Sequence, residues 1–452
     1  MNLLEKIYAK KTTENGDISY KTTGNNLTDL FFMTSFFEKN LDQVKIGTTD
    51  KEKLFSMFVR DPRFGLGRRD LGRRLMQLSN VSAEDIILAG RFDDLWKIPT
   101  DNNLEVLKKY VEENNLAKKW MPRLTGKDKM IAKAICEEWN IDEKAYRNLI
   151  KTDSTVEYKL SFAEKQNGTE LNNLFNKNEY IHPLVEKIDF EKVPSLAMTK
   201  YLNCFSTRED IKPRFDKYMQ EVKENKKKVN ISTTNVHDAY KTVSRGTSTE
   251  NADILGKKIV DNATIGVEMN AIVILDTSGS MGHFAFDNSL LSKAMSIAHG
   301  IAIHSTYAPN QIISFSSRPR LMTIKGDTLK EQYNSMYTGD CSNTDFGKVM
   351  NILQGLHKFP EYLIVLSDME FDYGSNQSKK ATMKIFKDAG AETKIIWWNL
   401  NDRNKTVPEF DEYGNIYLSG YNLQILKLLE NKFDMTTYID KILEDYKKKI
   451  NK

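Results

Sequence analysis

Oxygen-bearing side chains recur in three segments of the second half of the chain. The segments are Asp276-Thr277-Ser278-Gly279-Ser280, Asn343-Thr344-Asp345 and Ser367-Asp368. Hydroxyl and carboxylate oxygens are the ligands that hard divalent cations prefer, and none of the three segments contains a cysteine. The residue types therefore predict a Mg²⁺ site, and Mn²⁺ and Ca²⁺ share this preference for oxygen. With few charged ligands, such an ion stays electrophilic and keeps a position open to an acidic group from a partner.

The elements around these segments are predicted from apolar runs. Residues 271–275 form a continuous apolar stretch, which is typical of a strand buried on both faces. Further strands are predicted at 311–315, 321–324, 362–366, 394–398 and 416–418, with helices at 289–307, 328–337, 346–357 and 376–389. This alternation favours an α/β, doubly wound, mostly parallel sheet. Ligands bind at the carboxyl ends of the strands in such sheets, so the three segments are expected to meet there.

The same pattern resembles a known metal site. Asp-x-Ser-x-Ser after a first strand, a later Thr and an Asp after a later strand resemble the metal-ion-dependent adhesion site of von Willebrand factor A domains. The resemblance implies that Ser278, Ser280 and Thr344 contact the metal directly. It also implies that Asp276 and Asp368 act mainly through water and hydrogen bonds.

The first half of the chain has a helical rhythm instead. Apolar residues recur at spacings of three and four, as at Leu27, Leu30 and Phe31. Helices are predicted at 26–40, 51–60, 67–79, 84–89, 103–114, 127–139, 142–150, 194–204 and 208–224. We therefore expect an all-α, HEAT-like array in residues 1–250, followed by the α/β domain with C-terminal helices in 251–452. The polar stretches 223–228 and 244–253 are predicted linkers, and 166–178 a surface loop.

Six arginines lie close together in this first half. They are Arg60, Arg63, Arg68, Arg69, Arg73 and Arg74. On a helix, Leu71 and Leu75 share one face, and Arg69 and Arg73 lie opposite that face and point outward. Guanidinium groups bind phosphate in bidentate fashion, so this stripe suits an RNA or DNA backbone. The alternative is a solvated face paired with carboxylates, and Gly72 inside the helix costs about 1 kcal/mol relative to alanine.

Five motifs of the first half resemble those of an Ro/TROVE-like family of the domain-of-unknown-function type. They are the Gly-x-Gly-x-Arg-Asp-Leu segment at 65–71, Gly90-Arg-Phe-Asp-Asp-Leu-Trp96, Lys119-Trp-Met-Pro-Arg123, Tyr146-Arg-Asn-Leu149 and Val193-Pro-Ser-Leu-Ala-Met198. The resemblance implies an N-terminal helical domain and a C-terminal von Willebrand factor A domain. In true Ro proteins a ring of helical repeats binds structured or misfolded RNA, so a structured RNA is the partner that the resemblance implies.

The composition of the chain excludes several classes of protein. The 452 residues are 40% hydrophobic and 28% charged, which is typical of a globular protein of two or three domains. No apolar run reaches the ~18–20 residues of a membrane span, and the start lacks a secretory signal, so we expect a cytoplasmic protein, or a virion-associated one if viral. Cys136, Cys204 and Cys341 are too far apart for a zinc motif or a disulfide scaffold. Residues 1–250 hold 43 Lys and Arg against 38 Asp and Glu, whereas residues 251–452 hold 23 against 24.

Two functions of different classes follow. The first is a non-enzymatic, RNA-binding ribonucleoprotein component with a metal-ion-dependent adhesion site. The alternative is a metal-dependent protein-interaction module, such as a phage structural or assembly factor, whose partner supplies a carboxylate to the metal. A metal-assisted hydrolase is the weakest interpretation, because neither Asp345 nor Glu370 has an activating neighbour in the sequence. A P-loop, a Gly-x-Ser-x-Gly elbow and an Asp-x-Asp phosphatase motif are all absent from the sequence.

Overall fold

The computed structural model describes most of the chain and divides it into two compact units. The described residues are 10–12, 18–20, 26–37, 41–98, 102–151, 188–231, 234–244, 250–264, 268–282, 289–339, 346–355, 358–368, 384–401, 409–410, 415–419 and 435–451. The helical unit comprises residues 37–215, 228–233 and 439–452, and the sheet unit comprises 1–36, 216–227 and 234–438. Each unit thus contains three separate segments of the chain: residues 1–36 and 234–244 group with the sheet, and residues 439–452 group with the helices. The domain boundary at residue 250 stays a prediction.

The described α-helices and β-strands are numbered here in chain order. The helices are α1 (Asn26–Phe37), α2 (Asp50–Arg60), α3 (Arg69–Leu78), α4 (Ala83–Ala89), α5 (Phe92–Lys97), α6 (Asn103–Glu113), α7 (Asn115–Trp120), α8 (Lys129–Glu138), α9 (Glu143–Leu149), α10 (Ser195–Thr207), α11 (Lys212–Lys223), α12 (Val236–Ser244), α13 (Glu250–Ala263), α14 (Leu290–Ala302), α15 (Leu329–Ser335), α16 (Phe346–Gln354) and α17 (Met435–Ile450). The strands are β1 (Lys10–Thr12), β2 (Ile18–Tyr20), β3 (Ala271–Asp276), β4 (Gln311–Phe315), β5 (Arg320–Thr323), β6 (Tyr362–Ser367), β7 (Lys394–Asn399), β8 (Glu409–Phe410) and β9 (Ile416–Ser419). Within the described ranges, no helix is both long and apolar enough to cross a membrane.

The predicted helices of the first half are all found, with ends displaced by a few residues. Helices α5, α7 and α12 were not predicted from the sequence; α5 and α7 are only six residues long and carry no periodic apolar pattern. The linker prediction at 244–253 is wrong from Glu250 onward, because α13 begins there. The polar first turn of α13 makes a contact within the sheet unit: the Asp253 carboxylate accepts a hydrogen bond from the backbone N–H of Leu329 at 2.6 Å. The predicted loop 166–178 lies outside the described residues.

Helices α2 and α3 approach each other closely. A capping box starts α2, in which the Thr49 hydroxyl accepts from the Glu52 backbone and the Glu52 carboxylate accepts from the Thr49 backbone. A Cβ atom added at Gly72 would lie 2.6 Å from the Cα of Arg60, closer than two carbon atoms can pack. The glycine that looked unfavourable for a helix is therefore required by the contact between the two helices.

The C-terminal helix contributes to the core of the helical unit. Tyr446 of α17 is buried, and its ring packs edge-on against Phe58 with the centroids 5.4 Å apart. Its hydroxyl donates to the Asp61 carboxylate at 3.2 Å. A residue near the end of the chain thus completes packing that begins at α2.

The sheet unit contains a seven-stranded mixed sheet with the order β5-β4-β3-β6-β7-β9-β8. The five inner strands are parallel, and β5 and β8 pair antiparallel at the edges. Every strand predicted in this half is present, and only the two-residue β8 was not predicted. Of the predicted helix at 376–389, residues 384–388 are helical and those up to 383 lie outside the described residues. Every residue of β3 is buried, as its apolar run predicted.

Candidate metal centre and cationic cavity

The candidate metal centre lies where β3 and β6 end side by side. The two strands are parallel neighbours with Leu275 opposite Leu366, so Asp276 and Ser367 come next at the same edge. The Ser367 hydroxyl donates to Asp276 Oδ2 at 2.5 Å, and the backbone N–H of Ser278 donates to Asp276 Oδ1 at 2.9 Å. These bonds fix the Asp276 carboxylate at the carboxyl ends of the central strands.

A short 3-10 turn brings the two serine hydroxyls together. Ser278 precedes the turn Gly279–Met281, and Gly282 ends it with a φ of 80°, a backbone conformation that favours glycine. The Ser278 and Ser280 hydroxyl oxygens lie 3.1 Å apart. Ser278 is buried and Ser280 is exposed, so this oxygen pair runs from the interior toward solvent.

Two carboxylates are buried at this strand edge. Asp276 and Asp368 are both buried, at 0% and 1% exposure. Burial raises the pKa of Asp276 to about 7, and the negative charge of Asp368 adds to the rise, although hydrogen bonds from Ser367 and Ser278 oppose it. In the described part of the chain, no basic side chain pairs with Asp276. Two buried carboxylates beside two hydroxyls form a donor set that suits a hard cation.

Four of the five predicted metal residues lie in the described part of the chain. Asp276, Ser278 and Ser280 are within one hydrogen-bonded group, and Asp368 follows Ser367 in the same group. Thr344 lies outside the described residues. Among described residues no group of three or more His, Cys, Asp or Glu could hold a metal, so a metal at β3 would depend on hydroxyl oxygens.

The arginine segment differs from its prediction at Arg60 and Arg73. Arg60 is 3% exposed, and its guanidinium donates to Asp94 Oδ2 at 2.7 Å. Arg73 was expected to point outward, and this orientation is wrong. Its side chain is only 14% exposed because Nε donates to Asp94 Oδ1 at 2.6 Å. Both arginines are therefore part of a buried ion-pair network.

The other four arginines of the segment lie nearer the surface. Arg63 donates to the Asp61 carboxylate and to the carbonyl of Leu88, and Arg74 donates to Gln77 at 3.2 Å. Arg68 is half-buried at the N-cap of α3. Arg69 is exposed and is the one member of the six that lines the cavity described next. Phosphate binding by these four residues stays a prediction.

A cavity of about 930 Å³ lies in the helical unit. Its walls come from the start of α3, from α5 and α7, from the loop at 121–128 and from Lys200 of α10. Seven basic and two acidic side chains line it. The basic ones are Arg69, Arg91, Lys97, Lys119, Arg123, Lys127 and Lys200.

Asp93, on the cavity wall, neutralises part of this charge. Its carboxylate is 3% exposed and accepts hydrogen bonds from Lys97 at 2.6 Å and Arg91 at 3.1 Å. Burial opposes ionisation, yet the Lys97 hydrogen bond and the positive charges of Arg91, Lys97 and Arg73 hold the pKa of Asp93 below its ordinary value. Asp93 therefore offsets part of the positive charge of Arg91 and Lys97, and Arg69, Arg123 and Lys127 add further positive charge at the cavity.

Two half-buried tryptophans line the same cavity. Trp96 Nε1 donates to the backbone carbonyl of Trp120 at 3.1 Å, which ties α5 to the end of α7. The Arg91 guanidinium lies 4.2 Å from the Trp120 ring centroid, and the Lys97 ammonium lies 4.6 Å from that of Trp96. These residues lie in or beside the motifs 90–96 and 119–123, which were recognised from the sequence but were not predicted to bind a ligand. Trp96-Lys97 and Lys119-Trp120 place basic and aromatic residues side by side.

Comparisons with known proteins cover both halves of the chain. Models of two domains of unknown function match it, DUF2828 over residues 97–268 and DUF7788 over residues 270–451. The chain is 23% identical over 510 residues to "Uncharacterized protein L728" of Acanthamoeba polyphaga mimivirus, covering 96% of this chain and 87% of that protein. The crystal structure of the Deinococcus radiodurans RO (RSR) protein aligns with a TM-score of 0.43 and 11% identity, over 91% of this chain and 94% of that one. The function of this chain has to be argued from its own residues.

Proposed function

We propose that this protein is a non-enzymatic RNA-binding protein, a ribonucleoprotein component that holds RNA on its helical unit. The observation that carries the proposal is the group of exposed cations around the cavity. Arg69, Arg123, Lys127 and Lys200 are all exposed there. In the described part of the chain, Arg69, Arg123 and Lys127 have no ion-pair partner.

Such a group of cations favours a polyanion for physical reasons. Like charges that converge on one cavity repel one another, and a phosphate backbone removes this repulsion while releasing its own counterions. Arginine contributes a planar fork and lysine a point charge, and both bind phosphate oxygens. The resemblance of the N-terminal motifs to Ro/TROVE-type RNA-binding proteins agrees with RNA as the polyanion.

The test is RNA binding by the full chain, measured as fluorescence anisotropy of a labelled structured RNA. We expect Lys127→Glu to weaken binding tenfold or more at low salt. Lys144→Glu is the matched control, since Lys144 is an exposed lysine of the helical unit that does not line the cavity. Equal effects of the two variants, or binding that ignores salt, would contradict the proposal.

The geometry at β3 favours a second function beside the first. We propose that Asp276, Ser278, Ser280 and Asp368, with Thr344 as the resemblance implies, hold one Mg²⁺, or Mn²⁺ or Ca²⁺. A bound cation supplies a Lewis-acidic position that an acidic side chain of a protein partner can complete. Ser280, which is exposed, lies on the side from which a partner reaches the site.

This second function has its own test, which does not involve RNA. Isothermal titration of the full chain with MgCl₂ is expected to show one site per chain, lost in Ser280→Ala. Thr306→Ala is the control, since it removes an exposed hydroxyl of the same unit away from the site. Titration curves that are identical for the two variants would overturn the assignment of the serines.

A further inference from the structure

We infer that the cavity of the helical unit takes an unpaired nucleotide of a single-stranded RNA segment. The base stacks on the platform made by Trp120 and Arg91, and the flanking phosphates contact Arg123 and Lys127. This inference rests on the proposed RNA binding and deepens it, since it names the part of the RNA that the cavity selects.

The two tryptophans of the cavity offer a surface on which a base can stack. Trp96 and Trp120 are half-buried and line one open cavity, so part of their surface faces the space that a ligand would occupy. Their positions are fixed by the Trp96–Trp120 hydrogen bond of 3.1 Å and by Arg91 at 4.2 Å from the Trp120 ring. Unpaired bases stack on indole rings and on guanidinium planes, and such stacking does not depend on the identity of the base.

The basic residues around the cavity are placed to contact the phosphates on either side of that base. Arg123 and Lys127 lie on the loop between α7 and α8, which turns at Gly126 with a φ of 85° and has open space beside that residue. Arg69 comes from α3 and Lys200 from α10, so positive charge reaches the cavity from three separate parts of the helical unit. Charges arranged around a stacking platform match a nucleotide, whose phosphates lie on either side of its base.

Size selects an unpaired base. The cavity of about 930 Å³ is within the range of roughly 300–1,000 Å³ that small ligands occupy, so a single nucleotide is the part of an RNA that fits inside it. A paired base has both faces stacked inside its helix and cannot stack on the tryptophans without being extruded, and extrusion has an energetic cost. The cavity therefore distinguishes single-stranded from double-stranded RNA.

The experiment compares a labelled single-stranded RNA with a duplex of the same sequence, using the full chain and its Trp120→Leu and Trp120→Tyr variants. We expect Trp120→Leu to weaken single-strand binding tenfold or more and to change duplex binding less than twofold. Trp120→Tyr, which keeps an aromatic face, is expected to stay within threefold of wild type. Melting curves of each variant verify that the fold is kept.

A second variant keeps the test independent of Trp120. Arg123→Ala/Lys127→Ala changes two exposed residues and is expected to weaken both RNAs while lowering the salt dependence of binding. The concentration of adenosine monophosphate needed to displace the labelled single strand is expected to be at least a thousandfold higher than that of unlabelled RNA. Displacement at equal concentration would instead make the cavity a site for a free nucleotide and overturn the RNA assignment.

The two proposals fail in different ways. If Trp120→Leu binds single-stranded RNA as tightly as the wild type does, the stacking site is wrong, but RNA binding by the helical unit still stands. Wild-type protein that binds neither RNA at low salt would overturn both.

Discussion

Asp94 of the helical unit and Asp276 of the sheet unit are both completely buried, but the protein balances their charges differently. Asp94 accepts hydrogen bonds from the guanidinium groups of Arg60 and Arg73, so its charge is neutralised internally. Asp276 accepts from a serine hydroxyl and a backbone N–H, and Asp368 brings a second negative charge. The first carboxylate contributes to the packing of the helical unit, and we propose that the second binds a cation from solution.

The same comparison explains the arginines. An arginine that lies opposite an apolar stripe in sequence need not face solvent, because a carboxylate from another helix can cover it. Arg73 meets Asp94 in this way, whereas Arg69, one turn earlier on α3, remains exposed. A cluster of arginines thus contains both structural and candidate binding residues, and only their neighbours in space separate the two.

The largest expected effect is at Asp94. Asp94→Ala leaves Arg60 buried without its partner, and removing one partner of a buried ion pair costs roughly 3–5 kcal/mol. The measurement is urea unfolding, with hydrogen exchange of α2 and α3 peptides as a readout specific to the helical unit. Arg147→Ala is the control, since it removes an exposed pair with Glu143 and should cost less than about 0.5 kcal/mol. If both variants lower the free energy of unfolding by similar amounts, the distinction between internal and surface arginines is wrong.

Next comes the pH dependence of the sheet unit, through the buried His299. Burial lowers the pKa of His299 to about 4, the charge of His304 adds to this, and a hydrogen bond with Gln332 opposes it. Because the pKa is depressed on folding, the stability from neutral His299 is complete above its ordinary pKa of 6.5 and is lost as pH falls toward 4. The loss amounts to about 3 kcal/mol. The raised pKa of Asp276 acts in the opposite direction over the same window, so the contribution of His299 is measured as the difference in pH dependence between wild type and His299→Gln. A pH dependence that the variant leaves unchanged would contradict the assignment.

Magnesium should stabilise the region around Asp276 and leave the region around Asp94 unchanged. A cation that binds the folded sheet unit alone stabilises it by about 2.7 kcal/mol at a hundredfold excess over Kd. We expect MgCl₂ to slow hydrogen exchange in β3 and β6, and chelator to reverse the effect, while α2 and α3 stay unchanged. Equal protection of both units would indicate nonspecific binding.

The smallest of these effects concerns Gly72. Alanine is the better helix former, but its Cβ would clash with the backbone of Arg60, so we expect Gly72→Ala to destabilise the helical unit by about 1–3 kcal/mol. Urea unfolding measures this cost. A gain in stability would mean that α2 and α3 pack less closely than described.

Sequence patterns predicted what depends on near neighbours in the chain. The apolar runs gave the inner strands of the sheet, and the spacing of Asp276, Ser278 and Ser280 placed their oxygens together, because a single turn connects them. The cavity could not be predicted in this way. Its residues come from α3, α5, α7, the following loop and α10, and only tertiary packing brings them to one place.

The central claim is that the exposed cations around the cavity bind RNA phosphates, and the salt dependence of binding tests it most directly. Contacts from the four exposed cations, Arg69, Arg123, Lys127 and Lys200, to a single strand predict that log K falls with log salt with a slope of about −3. Arg123→Ala/Lys127→Ala should reduce this slope to about −1.5. A slope near zero, or one that the double variant leaves unchanged, would contradict the claim.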